Sequence, residues 1–132
     1  MPAAAVGTGY TMLDLPSHWD ARGVLTPFDF ARLPFRPERV FAVTLVPAGT
    51  RRGGHGHRDQ RQMLACVAGR VGVELRAPGT GAVTVTLPPG RALLVEPGVW
   101  TAQTFETEDA VLLVLASGPY DPDEYFYEPP DA

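Results

Sequence analysis

The stretch "VGVELRAPGTGAVTVTL", residues 71–87, alternates apolar and polar side chains on both sides of a Pro-Gly-Thr-Gly centre. A period of two marks a strand with one wet face, and a Gly- and Pro-rich turn between two such runs reads as a β-hairpin. Outward from it the same grammar continues. "RVFAVTLVP" (39–47), "MLACVAG" (63–69), "ALLVEP" (92–97), "VWTAQTF" (99–105) and "AVLLVLAS" (110–117) are rich in Val, Leu, Thr and aromatics, and 14 glycines and 14 prolines punctuate the chain. These segments are expected as strands. "AVLLVLAS" is apolar throughout and is expected in the middle of a sheet. "GRVG" (69–72) and "APGTGA" (77–82) read as hairpin turns, "PPGR" (88–91) and "EPGV" (96–99) as corners between sheets. Short, regular strands with such corners predict an all-β jelly roll.

The 132 residues predict one domain. Residues 1–20 and 121–132 are expected to be irregular or arm-like, with Tyr125, Phe126 and Tyr127 available to pin the tail to the body or to a second subunit. The net charge is −4 and the stretch from Asp121 to Asp131 holds no basic residue, which argues against nucleic acid or an anionic membrane as partner. No apolar run approaches a membrane span, and "MPAAAVGTGY" lacks the basic start and apolar run of a signal peptide, so a cytoplasmic location is expected. The single cysteine, Cys66, rules out an internal disulfide and lies in an apolar run, where a buried structural thiol is expected. All 11 basic residues are arginine, and Lys, Asn and Ile are absent, a mark of a GC-rich genome.

Residues 51–62, "RRGGHGHRDQRQ", carry the chemistry. His55 and His57 are two apart, so in an extended chain they leave the same face and share one pocket. Three readings are open: a metal cage, a polar strand end, and an acid–base pair. A metal needs three or four good ligands with a carboxylate for charge balance, which Glu74 or Glu96 supplies only if the fold brings it close. Imidazole suits proton transfer because it titrates near neutrality, and Arg51, Arg52, Arg58 and Arg61 nearby would favour its neutral form.

Gly49, five residues, His55-Gly56-His57, four residues, Gln62, six residues and Gly69 resemble the first motif of the cupin family. A metal-binding cupin has glutamate at the place of Gln62, and a histidine at the place of Thr101 in "EPGVWTAQTF". Both changes argue for a site without metal. More closely, "DARGVLTPFDFARLPFRPERVF" (20–41), "TRRGGHGHRDQRQMLACVAG" (50–69), "VEPGVWTAQTF" (95–105) and "VLLVLASGPYDPDEY" (111–125) resemble the nucleotide-sugar 3,4-ketoisomerases, which act on dTDP-4-keto-6-deoxy-D-glucose.

The resemblance implies a single-domain cupin, or double-stranded β-helix, that works as a homodimer. It implies a metal-free, cofactor-free isomerase of deoxysugar biosynthesis that moves a ketone from C4 to C3 through an enediolate. His57 is then the base at C3, His55 its proton-transfer partner or the group that polarises the sugar oxygens, and Arg52 the cation that holds the enediolate or the substrate. Gln62 would hydrogen-bond the sugar, Thr101 would line the pocket, and Trp100 could stack on base or sugar. Arg51, Arg58, Arg61 and Arg70 are candidates for the diphosphate. One departure bears on mechanism. The family's tyrosines after "RV", which supply a catalytic phenol, are Phe41 and Ala42 here, leaving Tyr120 and Tyr125 as substitutes. Two other readings stay open: an epimerase working on another keto sugar or carbonyl compound, and a noncatalytic ligand-binding cupin.

Overall fold

The computed structural model describes residues 3–7, as backbone, and 9–132. In chain order its strands are β1 (Ala3–Gly7), β2 (Tyr10–Asp14), β3 (His18–Asp20), β4 (Gly23–Leu25), β5 (Arg39–Val43), β6 (Thr50–His57), β7 (Gln62–Ala68), β8 (Val71–Arg76), β9 (Val83–Leu87), β10 (Arg91–Val95), β11 (Trp100–Phe105), β12 (Val111–Ala116) and β13 (Tyr125–Phe126). One sheet has the order β1-β2-β10-β7-β12-β5, a second β13-β6-β11-β8-β9, and β3 pairs with β4 in a small hairpin. All pairings are antiparallel. This is the expected jelly roll. Among the described residues, no helix is long and apolar enough to cross a membrane.

The 71–87 stretch does form a hairpin, Val71 lying opposite Leu87 and Leu75 opposite Val83. "PPGR" and "EPGV" are corners, carrying the chain from β9 to β10 and from β10 to β11, that is, from one sheet to the other and back. "GRVG" corrects its reading, because β7 and β8 belong to different sheets. That link too is a corner. A Cβ at Gly69, where φ is +68°, would lie 2.5 Å from the Cα of Ala110, so a tight crossing there accepts only glycine.

Between the sheets lies a core of Leu64, Cys66, Leu93 and Leu112 from one side and Val71, Val73, Leu75 and Phe105 from the other. Cys66 is fully buried and its Sγ donates to the carbonyl of Ala68 at 3.2 Å, so burial pushes its thiol pKa up, as an inert packing group requires. A second cluster explains the apolar β12. The outer face of the first sheet, with Met63, Ala65, Leu94 and Leu115, is covered by Phe28, Leu33 and Phe35 from the loop before β5. Both faces of β12 are therefore dry.

The first twenty residues differ from the irregular arm expected, since β2 pairs along its length with β10 and buries Met12 and Leu13. Residues 121–132 likewise contain a 3-10 turn, Pro122–Glu124, and β13, which pairs with β6. The expected strand 39–47 stops at Val43 because Leu45 takes a left-handed conformation, φ +59°, with its side chain 91% exposed.

Candidate active site

β6 positions the site through one irregularity. Opposite β11, Arg52 pairs with Gln103, Gly53 with Ala102 and His55 with Thr101, so Gly54 is an extra residue, a β-bulge. Strict alternation would send Arg52 and His55 to opposite faces. The bulge resets the pleat and turns both inward. Gly53 and Gly54 have φ of +82° and +81°, and a Cβ on Gly53 would lie 2.5 Å from Oε1 of Gln103. The Gly-Gly pair thus sets which side chains of β6 share the inner face, a consequence sequence alone does not display.

Inside, the His55 and His57 rings meet edge to face with centroids 5.6 Å apart. His57 is only 6% exposed, and neither of its ring nitrogens, nor Nδ1 of His55, has a hydrogen-bond partner among the described residues. A buried polar atom without a partner is costly, so three such atoms in one place mark a group held ready for something else. Burial lowers the pKa of His55, and that of His57 falls to about 4 through burial, then the neighbouring His55, then Arg39. The neutral form was expected from Arg51, Arg52, Arg58 and Arg61. Desolvation is the larger cause, and the cation involved is Arg39.

Gln62 and Thr101 are buried beside the histidines, in a hollow also lined by Gln60, Val95, Glu96 and Val99. His55 and Gln62 also line a cavity of about 90 Å³, together with Arg52, Gln103, Phe41 and Val43. Nε2 of Gln103 donates to Oγ1 of Thr101 at 2.9 Å, joining two of the buried polar groups. Arg52 is exposed and has no ion-pair or hydrogen-bond partner among the described residues, so its cation is free to face a ligand. Of the two positions where a phenol is absent, Phe41 lines the cavity and Ala42 does not; to that cavity β5 contributes only the apolar Phe41 and Val43.

Several expected site residues are elsewhere. Arg51 lies on the outer face of the second sheet, paired with Glu74 at 3.1 Å, and Glu74 also accepts from Nε of Arg76. Trp100 is on that same outer face, between the guanidinium groups of Arg51 and Arg76, and its Nε1 donates to the carbonyl of Tyr127 at 3.0 Å. Arg70 pairs with Glu106 at the opposite end of the strands from His55. Arg61 forks onto Glu96 at 2.8 and 3.0 Å and covers Phe35, bracing the wall of the hollow. Arg58 donates to the carbonyl of Asp123, tying down the tail. With Glu74 outside and Glu96 held by Arg61, no group of three or more His, Cys, Asp or Glu among the described residues is placed to hold a metal ion.

Two contributors escaped the sequence reading. Arg39, at the start of β5, packs its guanidinium over Phe41 and Tyr120 at 5.5 and 5.7 Å, and its buried Nε and Nη2 lack partners. Its only sequence signal is the "RV" that precedes Phe41. Glu124, 9% exposed, accepts from the backbone N–H groups of Asp59 and Gln60 at 2.6 and 2.5 Å. That contact spans 65 residues and fastens the C-terminal segment over the histidines. Tyr125 then lies against both imidazoles, with centroid separations of 4.8 Å to His55 and 4.6 Å to His57.

Comparisons with known proteins agree with this fold. The chain is 33% identical over 108 residues to TDP-4-oxo-6-deoxy-alpha-D-glucose-3,4-oxoisomerase of Aneurinibacillus thermoaerophilus, covering 80% of this chain and 77% of that one. A mutant of the 3,4-ketoisomerase QdtA from Thermoanaerobacterium thermosaccharolyticum, solved in complex with TDP-4-keto-6-deoxyglucose, superposes with a TM-score of 0.85 at 31% identity, over 93% of this chain and 90% of that one. A 3,4-ketoisomerase from Helicobacter canadensis gives 0.81 at 26% identity, over 90% of each. The model of the family described as "FdtA: WxcM-like, C-terminal" matches residues 8–131, and the chain belongs to that family.

Proposed function

We propose that this protein is a nucleotide-sugar 3,4-ketoisomerase that moves the ketone of a TDP-4-keto-6-deoxyhexose from C4 to C3. The observation that carries the reading is the imidazole pair, His57 buried and His55 half-buried, with partnerless nitrogens among the described residues, next to a cavity that His55 and Arg52 line. The C4 ketone acidifies the proton on C3. Neutral His57 removes it, the electrons move into the carbonyl, and an enediolate forms. Arg52 faces the developing negative charge, where a fixed cation is worth most. A proton returns to C4, with His55 as the second imidazole available to carry it, and as the new ketone forms the C3 hydroxyl loses one proton while the C4 oxygen gains one, becoming the new hydroxyl. Every bond change is a proton transfer, so the chemistry draws on no redox cofactor. Gln62 and Thr101 are placed to hold sugar hydroxyls. Arg39 replaces Arg51, Arg61 and Arg70 as the cation for the diphosphate, because those three are engaged by carboxylates.

One observation favours a second reading. Because β5 presents only Phe41 and Val43 to the cavity, proton exchange beside the carbonyl without ketone migration, an epimerisation, also fits. Treatment of the reaction mixture with borodeuteride separates the two, since it labels the carbonyl carbon. Label at C3 after incubation with TDP-4-keto-6-deoxyglucose supports the isomerase, provided that His57→Asn lowers its yield at least about 100-fold. Label confined to C4 refutes it. We also propose a homodimer. The unpaired edge of β5 with exposed Val40 and Phe41, and the β3–β4 hairpin with exposed Trp19 and Leu25, are surfaces a second copy would cover. Sedimentation at twice the chain mass is the expected result.

A further inference from the structure

The reaction needs four proton movements, two at carbon and two at oxygen, and the imidazoles account only for those at carbon. Loss of the C3 proton leaves charge on the C4 oxygen, and the C3 hydroxyl must later release a proton. A single group that gives a proton at one oxygen and takes one at the other serves both needs and ends as it began. A phenol suits this, since its hydroxyl is both donor and acceptor and its ordinary pKa, about 10, keeps it protonated at neutral pH.

Only some hydroxyls reach the histidines. From β11, Thr101 is present, but its Oγ1 already accepts from Gln103 and an aliphatic alcohol is a far weaker acid. From β5 there is none. Tyr120 is 68% exposed and packs on Tyr125, at 6.0 Å, and on Arg39. Tyr125 alone among the tyrosines packs on both imidazoles at less than 5 Å.

The backbone holds it there by three independent contacts. β13 pairs Tyr125 with His57 and Phe126 with Gly56, so Tyr125 leaves on the face of His57 and Phe126 on the other. Phe126 lies so close over Gly56 that a Cβ there would be 2.2 Å from its ring. Glu124 is anchored on the Asp59 and Gln60 amides, and Arg58 N–H donates to the Glu124 carbonyl at 2.8 Å. A ring merely filling space at a chain end would not need such fixing.

We propose that Tyr125 is the catalytic acid of this site: its phenol protonates the C4 oxygen as the enediol forms and recovers a proton from the C3 hydroxyl as the ketone appears there. The proposal rests on the ketoisomerase reading. It also explains how the chain manages without a hydroxyl at Phe41, the phenol arriving from the opposite sheet on the C-terminal segment.

The test is Tyr125→Phe, which keeps the ring and its packing, assayed with TDP-4-keto-6-deoxyglucose. The expected result is a fall in kcat of at least about 100-fold, the range for loss of a general acid, with KM within about threefold. Adding Phe41→Tyr to the variant should recover at least about tenfold in kcat. A variant that turns over within about threefold of wild type overturns the proposal and leaves the ketoisomerase reading intact. So does a variant whose loss falls on KM rather than on kcat, since that is the mark of a packing role. A wild type that leaves the ketone at C4 overturns both.

Discussion

At the scale of single residues, the account turns on His57. Its pKa, lowered to about 4 mainly by burial, means that it is neutral and able to accept a proton throughout the physiological range. The same shift links folding to pH. Below its ordinary value of 6.5 the unfolded chain binds a proton that the folded chain refuses until about pH 4. Stability from this group is therefore complete above about pH 6.5 and is lost as pH falls toward 4, by about 3 kcal/mol at 1.36 kcal/mol per unit. His55, also lowered by burial, acts in the same direction. Urea titrations between pH 7 and pH 4 should show that slope, and His57→Asn should flatten it. The histidine pair was legible in the sequence because two residues two apart in a strand must share a face. The role of Arg51, Arg61 and Arg70 was not, because an arginine's partner is fixed by which strand lies beside it, and Glu74, Glu96 and Glu106 are all distant in the chain.

At the scale of elements, alternation and turn composition located β7 to β12 to within two residues at each end. The hairpin at 77–82 and the corners at 88–91 and 96–99 were equally legible, since their Gly and Pro residues state the backbone conformation directly. The 69–72 link was misread because a tight Gly corner and a hairpin use the same residues, and only the sheet to which β8 belongs distinguishes them. β6 is the most informative element. A run of "RRGGHGH" shows no alternation, yet its two glycines build the bulge that places Arg52 on the same face as His55. Gly53→Ala tests this. A left-handed φ costs a residue with a Cβ roughly 1–2 kcal/mol, and here the Cβ also displaces Gln103. The expected outcome is a melting point lower by several degrees together with a fall in turnover larger than the destabilisation explains. Full turnover in a destabilised variant would show that the bulge does not set the geometry.

At the scale of the whole molecule, the two sheets enclose an apolar core, and His55, His57, Gln62 and Thr101 line a hollow beside it. The core between the sheets and the cover formed by Phe28, Leu33 and Phe35 hold β6, β7 and β11 in place. The last strand, β13, then lays an acidic, aromatic tail over the histidines. That closure was the least visible part in the sequence, because Glu124 and the Asp59–Gln60 turn meet only in the folded chain. Glu124→Ala leaves two amides without their acceptor and is expected to cost about 1–3 kcal/mol. Exchange of the Asp59 and Gln60 amide hydrogens should quicken, and turnover should fall as Tyr125 loses its anchor.

The most direct measurement of the central claim is proton NMR of the protein mixed with TDP-4-keto-6-deoxyglucose in deuterated buffer, beside the His57→Asn variant. The account predicts that the wild type converts the sugar to its 3-keto isomer and that the variant does not. Deuterium entering the sugar ring while the ketone stays at C4 would contradict it, and would make this pair of histidines the machinery of an epimerase.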